Sequence, residues 1–479
     1  MSGAEAPPRV RGGWLEAPET QAVLAMLAEA GHRALAVGGC VRNALLGVPV
    51  ADVDVATDAR PERVAALAQA VGFHPVPTGV EHGTVTVVAH GVPHEVTTFR
   101  RDVETDGRWA RVAFSDDVAQ DAARRDFTVN ALYAEADGRV VDPLGGGLAD
   151  LAARRVRFIG DAEARIREDA LRILRFFRFH AWYGDPGRGL DAAGLAACAR
   201  LAALVDRLSA ERVGAEMKRL LLAPDPAASL RAMAEAGVLA RLAPGADAAA
   251  LGPLVALEAG REPSWVRRLV AMGGEDVAER WRLSRAEARR LGALREARAA
   301  GTPAAEVAYR HGAGAGLDLA LARAAVVAAA DRSGTEPQAG LERLGAPPDA
   351  PSGDQAGAAS AEVAARARVP AEDAALLRAG LTARGPAADG RGRDRRAGPP
   401  EDAPGAVPPE AAAGPDPLRD ALARAAAARF PLRAADLMPA LEGPALGAAL
   451  RRAEAAWIAS GFALDREALR RIALEAAGA

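Results

Sequence analysis

The chain has 479 residues, 50% of them hydrophobic and 4% aromatic, and carries a net charge of −3 with a pI near 6.2. That length and apolar content predict several domains with sizeable cores, while the slightly acidic balance argues against a nucleic-acid partner held by bulk charge; any such contact must come from the local distribution of basic residues. The only cysteines, Cys40 and Cys198, lie far apart with no Cys-x-x-Cys spacing, which excludes a disulfide framework and a zinc site and points to a reducing cytoplasm.

Trp14 to Ala30 has helical spacing, with Val23, Leu24 and Leu27 on one face, and stops at Gly31. Ala34 to Val37 is an apolar strand that enters Gly38-Gly39. The missing Cβ atoms of that pair let the backbone approach a phosphate, with amides at the start of the next helix as donors. A second strand then carries Asp52-Val53-Asp54-Val55. On a strand, Asp52 and Asp54 project from one face while Val53 and Val55 enter the core. Two like charges side by side need a cation, and hard oxygen ligands beside a phosphate turn suit Mg²⁺. Singly, each feature has a blander meaning, a plain turn and a solvated strand edge; their spacing carries the reading. No Gly-Lys-Ser/Thr follows, so this is not a Walker loop, nor is it a Gly-x-Gly-x-x-Gly dinucleotide site.

Pro61 to Val71 reads as a helix and Phe73 to Pro77 as a short strand. Gly83 to Ala89, the turn His90-Gly91 and Val92 to Phe99 read as a hairpin. Glu95 shares a face with Thr97 and Phe99, and is either a third carboxylate beside Asp52 and Asp54 or a charged residue at a sheet edge. Arg101 to Phe114 mixes charge, Gly and one Trp without a clear period and reads as a mobile loop.

The run Val37-Gly38-Gly39-Cys40-Val41-Arg42, then Leu45-Leu46-Gly47, then Asp52-Val53-Asp54-Val55-Ala56-Thr57, resembles the signature of class II CCA-adding enzymes and bacterial poly(A) polymerases. These are nucleotidyltransferases of the polymerase-β-like superfamily. Arg124-Arg125-Asp126-Phe127-Thr128-Val129-Asn130 resembles the family's second signature, and Asp142 to Gly147 with Asp150-Leu151 resembles the turn that closes its catalytic head. The resemblance implies a polymerase-beta-like α/β nucleotidyltransferase head followed by all-α neck, body and tail domains. It implies that Asp52 and Asp54 are catalytic and hold Mg²⁺, and that Gly38, Gly39, Arg42, Arg125 and Asp126 bind the nucleotide's phosphate or ribose. Position 43 is Asn where many relatives have Asp, which keeps an acceptor beside Arg42 but removes a charge.

From Ala152 the pattern turns helical. Between Arg154 and Arg178, eight arginines face four carboxylates, a local excess of basic charge in an acidic chain. Its plain reading is a solvated helix face laced with i,i+4 pairs. Glu168-Asp169-Ala170-Leu171-Arg172 matches the family's Glu-Asp-x-x-Arg motif. Asp169 and Arg172, three apart on one helix face, offer an acceptor beside a donor fork. Cytosine and adenine present an amino donor next to a ring-nitrogen acceptor, whereas uracil and guanine present a carbonyl that the carboxylate repels. One such pair therefore accepts C and A. Helix geometry keeps Arg175 near Arg172 and turns Arg178 away from Asp169, so these two are assigned to triphosphate or head–neck contacts, and the resemblance implies additional nucleotide contacts at both.

Ser209 is a plausible N-cap of the helix running to Leu221. No apolar run approaches the ~20 residues of a membrane span, and Met1 to Val10 lacks a signal-peptide core. The expected organisation is a head at 14–152, a neck at 153–222, an RNA-binding helical body at 223–344, a disordered Pro/Ala/Gly-rich linker at 345–417 and a helical C-terminal module at 418–479. Within the linker, 362–369 and 372–379 read as helical stretches and Arg391 to Arg396 as a charged patch. The expected activity is template-independent addition of CMP, CMP and AMP to the tRNA 3′ end, with CTP and ATP as substrates and no membrane partner. A poly(A) polymerase or a partial A-adding or CC-adding enzyme stands second. Thr78-Gly79-Val80-Glu81-His82-Gly83 resembles CCA-adding enzymes rather than the Leu-Val-Gly-Arg-Arg-Phe-like run of poly(A) polymerases. A catalytically idle RNA-binding protein on the same fold is the reading of a different class.

Overall fold

The computed structural model describes residues 8–106, 109–332 and 416–475. By packing, these residues form two compact units: 8–248 with 274–282, and 249–273 with 283–332 and 416–475. The segment expected as a body is therefore divided between the units, and the C-terminal module joins the second. Almost all of the expected linker, with its two helical stretches and arginine patch, lies outside the described residues. Its last residues do not: Asp416 caps a helix that opens at Pro417.

The first unit begins with α1 (Gly13–Glu16) and α2 (Pro18–Glu29), broken where Pro18 cannot continue the first helix. The head follows as β1 (Ala34–Val37), α3 (Gly39–Leu46), β2 (Asp54–Thr57), α4 (Pro61–Ala70), β3 (His74–Gly79), β4 (Thr84–Ala89) and β5 (Val92–Thr98). With β8 (Tyr133–Ala134) and β9 (Val140–Val141) they make a seven-stranded sheet of order β3-β4-β5-β2-β1-β8-β9. Only β2 and β5 pair in parallel; every other neighbour is antiparallel. The hairpin turn at His90-Gly91 has φ of 50° and 85°, the double positive pair that a tight two-residue turn requires. Leu35, Val37, Ala56, Phe99 and Tyr133 form the buried core on one side of the sheet with Val118 and Ala122 of α5 (Val118–Ala123).

Arg101 to Phe114 is not a loop. It forms most of a separate two-stranded ribbon of β6 (Arg100–Asp106) and β7 (Trp109–Phe114), hydrogen-bonded to itself and not to the main sheet. A register shift between Asp102 and Glu104 interrupts its alternation, which is why the sequence showed no period.

Helices take over after α6 (Gly147–Ala152): α7 (Ala162–Glu168), α8 (Leu171–Tyr183), α9 (Ala192–Arg200) and α10 (Ala210–Leu221) build the neck. Ser209 caps α10 as expected, accepting from the Arg212 amide. The scarce aromatics concentrate where neck meets head. Phe127 of the head lies 5.4 Å from Phe179 and 6.2 Å from Phe176 of α8, ring centre to ring centre, with Phe158 at 4.9 Å. All four are buried.

In the second unit, Ala313–Arg332 is long and apolar enough to cross a membrane by length and composition, and 61% of its most apolar stretch is buried inside the protein. Sequence reading passed over it because Asp318 and Arg323 interrupt the run. Both charges are buried and paired: Asp318 accepts from Arg267 at 3.0 Å and Arg290 at 2.6 Å, and Arg323 donates to the carbonyls of Ala297 and Thr302.

The position of α10 rests on one close approach. Gly214 sits against the main-chain carbonyl of Trp281, so that a Cβ there would lie 2.1 Å from the oxygen. Trp281 cannot yield, being buried with its indole N–H on the Leu242 carbonyl at 3.0 Å. Gly214→Ala should therefore destabilise the first unit by about 2 kcal/mol, as overpacking against backbone does. Urea unfolding of the variant beside the wild-type chain measures it.

Candidate active site

The glycine turn and the carboxylates meet because β1 and β2 are antiparallel. Ala36 pairs with Val55, which brings the end of β1, where the turn begins, beside Asp54 at the start of β2. Gly38 has φ of 74° and ψ of −118°, a backbone that side chains rarely adopt, and α3 starts at the next residue with its positive end at the turn. Arg125 reaches over this turn: a Cβ on Gly38 would lie 3.4 Å from its Nη1. In the parallel ladder Asp54 pairs with Glu95, so the two residues face the same side of the sheet on adjacent strands.

Asp52 is not where the strand argument put it. The strand begins at Asp54, and Asp52 lies exposed in the preceding irregular segment. The register that pairs Asp54 with Glu95 would set Asp52 against Pro93, which has no N–H to continue a ladder. Among the described residues no group of three or more His, Cys, Asp or Glu side chains is gathered to hold a metal ion, so Glu95 does not complete a three-carboxylate cage. The donor set still fits a hard divalent cation, since such ions take one or two carboxylates and fill the remaining positions with water and phosphate oxygens.

Arg42, expected at the nucleotide, is instead fully buried. Its guanidinium donates to Asn43 Oδ1 at 3.0 Å, Asn130 Oδ1 at 2.5 Å and the Tyr183 hydroxyl at 2.9 Å, and lies 4.0 Å from the Tyr183 ring centre. Position 43 thus supplies the neutral acceptor that keeps this cation satisfied.

Arg125 and Asp126 are each held by partners that sequence reading did not name. Asp121, one turn earlier, is 1% exposed and accepts from Arg124 at 2.8 Å, Arg125 at 3.1 Å and the Tyr133 hydroxyl at 2.7 Å. Burial alone would raise its carboxyl; the two arginine charges and the hydroxyl outweigh that and hold it at about 2. Asp126 is likewise pushed up by burial and pulled down further by Arg175, at 2.6 Å, and Asn130, to about 2. The Arg175–Asp126 pair joins neck to head. The i,i+4 spacing of Asp121 and Arg125 was visible in the sequence; that Tyr133 closes the cluster from another strand was not.

The base-reading pair is not formed as drawn. Asp169 is the extended residue that ends α7, and α8 starts only at Leu171, so Asp169 and Arg172 do not share a helix. Arg172 donates to Glu168 and to the Arg165 carbonyl at 2.9 Å, while Asp169 pairs with Arg212 of α10 at 2.7 Å. Arg178 is buried and paired with Glu216 at 2.6 Å, a contact within the neck rather than with a nucleotide. Beside this junction a cleft of about 520 Å³ opens, lined by Arg101, Gln120, Ala123, Arg124, Arg165 and Glu168.

A glycine turn at a helix start, strand-borne carboxylates next to it and a following arginine-rich helix make up a head with a helical neck. Residues 34–157 match the poly A polymerase head domain family, and residues 190–250 match the family described as a probable RNA and SrmB-binding site of polymerase A. The relatives in sequence carry the name CCA-adding enzyme. A CCA-adding enzyme of Leuconostoc citreum is 41% identical over 231 residues, 47% of this chain and 55% of the relative; one of Streptococcus pyogenes is 43% identical over 204 residues, 42% and 49% respectively. The chain spans about half the length of the curated relatives it matches. The crystal structure of the Bacillus stearothermophilus CCA-adding enzyme in complex with CTP matches 76% of this chain and 98% of its own, at 28% identity and a TM-score of 0.50. An apo CCA-adding enzyme shares the fold at 18% identity and a TM-score of 0.51.

The two depressed carboxyls give the head an acid-sensitive stability. Asp121 and Asp126 titrate near 2 when folded against 3.8 when free, so their contribution is complete above pH 4 and fades as pH falls towards 2. Each is worth about 2 kcal/mol across that window. In urea unfolding, the destabilisation caused by Asp126→Asn at pH 7 should shrink markedly at pH 2.5.

Proposed function

We propose that this protein is a CTP(ATP):tRNA nucleotidyltransferase that builds the 3′ CCA end without a nucleic-acid template. The observation that carries the reading is the juxtaposition of the Gly38-Gly39 turn, under Arg125, with Asp54 at the start of the adjacent strand. The turn and the positive end of α3 receive the triphosphate, and Arg125 adds a fixed cation. Asp54 and the exposed Asp52 hold Mg²⁺, with Glu95 as neighbour of Asp54 on the adjoining strand. Bound there, the ions neutralise charge on the phosphates and lower the pKa of the attacking 3′ hydroxyl. The chain's own part is positioning: a turn that only glycine adopts and arginines fixed by buried carboxylates need no rearrangement when charge develops. Selection between bases falls to the neck around Asp169 and Arg172, which takes up the base once Glu168 and Arg212 share their partners with it. Helices beyond the neck bind the tRNA by shape and phosphate contacts. A cytoplasmic setting suits the two cysteines, both buried thiols.

The decisive experiment incubates the protein with tRNA lacking its last three nucleotides and each labelled NTP in turn. Incorporation of C and then A with release of pyrophosphate supports the reading; homopolymer addition of A would favour a poly(A) polymerase. Asp54→Ala and Asp52→Ala should each abolish transfer of every nucleotide while tRNA binding, measured by filter retention, falls much less. Substantial Mg²⁺-dependent turnover in both variants would overturn the metal assignment.

A further inference from the structure

Arg261, Arg267 and Arg268 are shut inside the second unit, and each is neutralised by a carboxylate: Arg261 by Asp416, Arg267 by Glu258 and Asp318, and Arg268 by Glu258. Arg295 and Arg298 are treated differently. They lie on the helix Arg285–Ala300, three residues apart and therefore side by side. Arg298 continues the stripe of Leu291 and Leu294, both buried, at a position where the pattern calls for an apolar side chain. Arg295 donates through Nη2 to the Gly273 carbonyl at 3.0 Å, and Arg298 donates through Nη1 to the Val270 carbonyl at 2.5 Å. Both carbonyls belong to the C-terminal end of the helix Trp265–Met272, whose negative pole is a weak substitute for a carboxylate. Among the described residues no carboxylate acts on either guanidinium. Burial pushes both below the ordinary arginine value, and the charge of Arg295 pushes Arg298 further. Two like charges, partly stripped of water and lying together, are thus left uncompensated. Capping a helix end explains the two carbonyl contacts but not the charge, since a neutral amide donates to a carbonyl as well. Each guanidinium has spent one N–H of its five, and the remaining nitrogens reach the surface.

We propose that Arg295 and Arg298 form a phosphate-binding site in the second unit that takes one phosphodiester of an RNA backbone; the choice of RNA as the polyanion rests on the function proposed above. Both residues lie outside 34–157 and 190–250, the segments that match known families. An anion restores the balance that the fold leaves open. Two guanidinium forks side by side present several N–H donors, which a phosphodiester accepts through its two non-bridging oxygens. Because a carbonyl already holds each fork, less side-chain freedom is lost on binding. Such a contact reads no base: it fixes where the RNA lies while the head and neck work on its end.

The test measures filter retention of tRNA lacking its last three nucleotides by the full chain over a range of salt concentrations. The double variant Arg295→Gln, Arg298→Gln keeps a donor for each carbonyl and removes both charges, so its melting temperature should stay close to that of the wild type. Its affinity at about 0.15 M salt should fall about tenfold, and the slope of log affinity against log salt should shallow by about 1, the share of one phosphate. Arg295→Lys with Arg298→Lys, which keeps both charges, should recover most of the loss. A duplex RNA of unrelated sequence should lose the same fraction of its affinity. Unchanged affinity and slope in the folded glutamine variant, or a loss that is equal at every salt concentration, would overturn the inference. If the double variant does not fold by circular dichroism, Arg295→Gln alone is read by the same criteria. Addition of C and A by the wild-type chain alongside undiminished binding by the double variant removes the inference alone; a wild-type chain that adds no nucleotide, with the share of RNA binding due to Arg295 and Arg298 intact, removes the proposed function alone.

Discussion

A guanidinium without solvent sits behind the glycine turn, and the arrangement of head and neck depends on satisfying it. Arg42 belongs to the helix that starts at the turn, yet one of its acceptors, Tyr183, is on the last turn of α8. Removing one acceptor of a buried cation costs at least the ~1–3 kcal/mol of an unsatisfied buried polar group, and more because the group is charged. The cation therefore enforces docking of the neck, and the phenylalanines around Phe127 and Phe179 supply the apolar surface that excludes water from it. Arg175 repeats the device a short distance away by crossing from α8 to Asp126. Turn geometry and neck position are thus one problem with one solution.

Much of this was legible from local pattern. The strand, glycine turn and helix at 34–46, the hairpin around His90-Gly91 and the Ser209 cap follow from residue types at fixed spacings. What could not be read were partners distant in sequence. Asp52 falls off its strand because of Pro93, some forty residues away on another strand. The helix drawn through Glu168 to Arg172 breaks at Asp169, whose carboxylate finds the Leu171 amide and Arg212. The burial of Arg42 and Arg178 is beyond the sequence, which gives the charge of an arginine but not its surroundings. Over Arg101 to Phe114 the charges and the register shift mask the alternation, so the pattern reads as a loop.

On the proposed function, the junction around Asp169 and Arg172 also sets the energetics of base binding. Both side chains are already paired, Asp169 with Arg212 and Arg172 with Glu168. A base that binds there replaces or shares existing charge-assisted contacts rather than meeting bare groups, so much of the gross interaction cancels. What survives is the difference between bases, and a site of this kind gains selectivity at the expense of affinity.

The second unit is assembled from stretches on either side of residues 333–415. Arg261 clasps Asp416 through two contacts of 2.9 Å with both side chains almost fully buried, and the Tyr309 hydroxyl donates to Glu454 at 2.9 Å while its ring meets Trp457 and Phe462. These buried contacts tie the two stretches together independently of the covalent link between them. The unit is therefore built like a complemented pair of fragments: a chain cut within 333–415 would keep its two pieces together through buried apolar surface and the Arg261–Asp416 clasp, and would run as a single species until denatured.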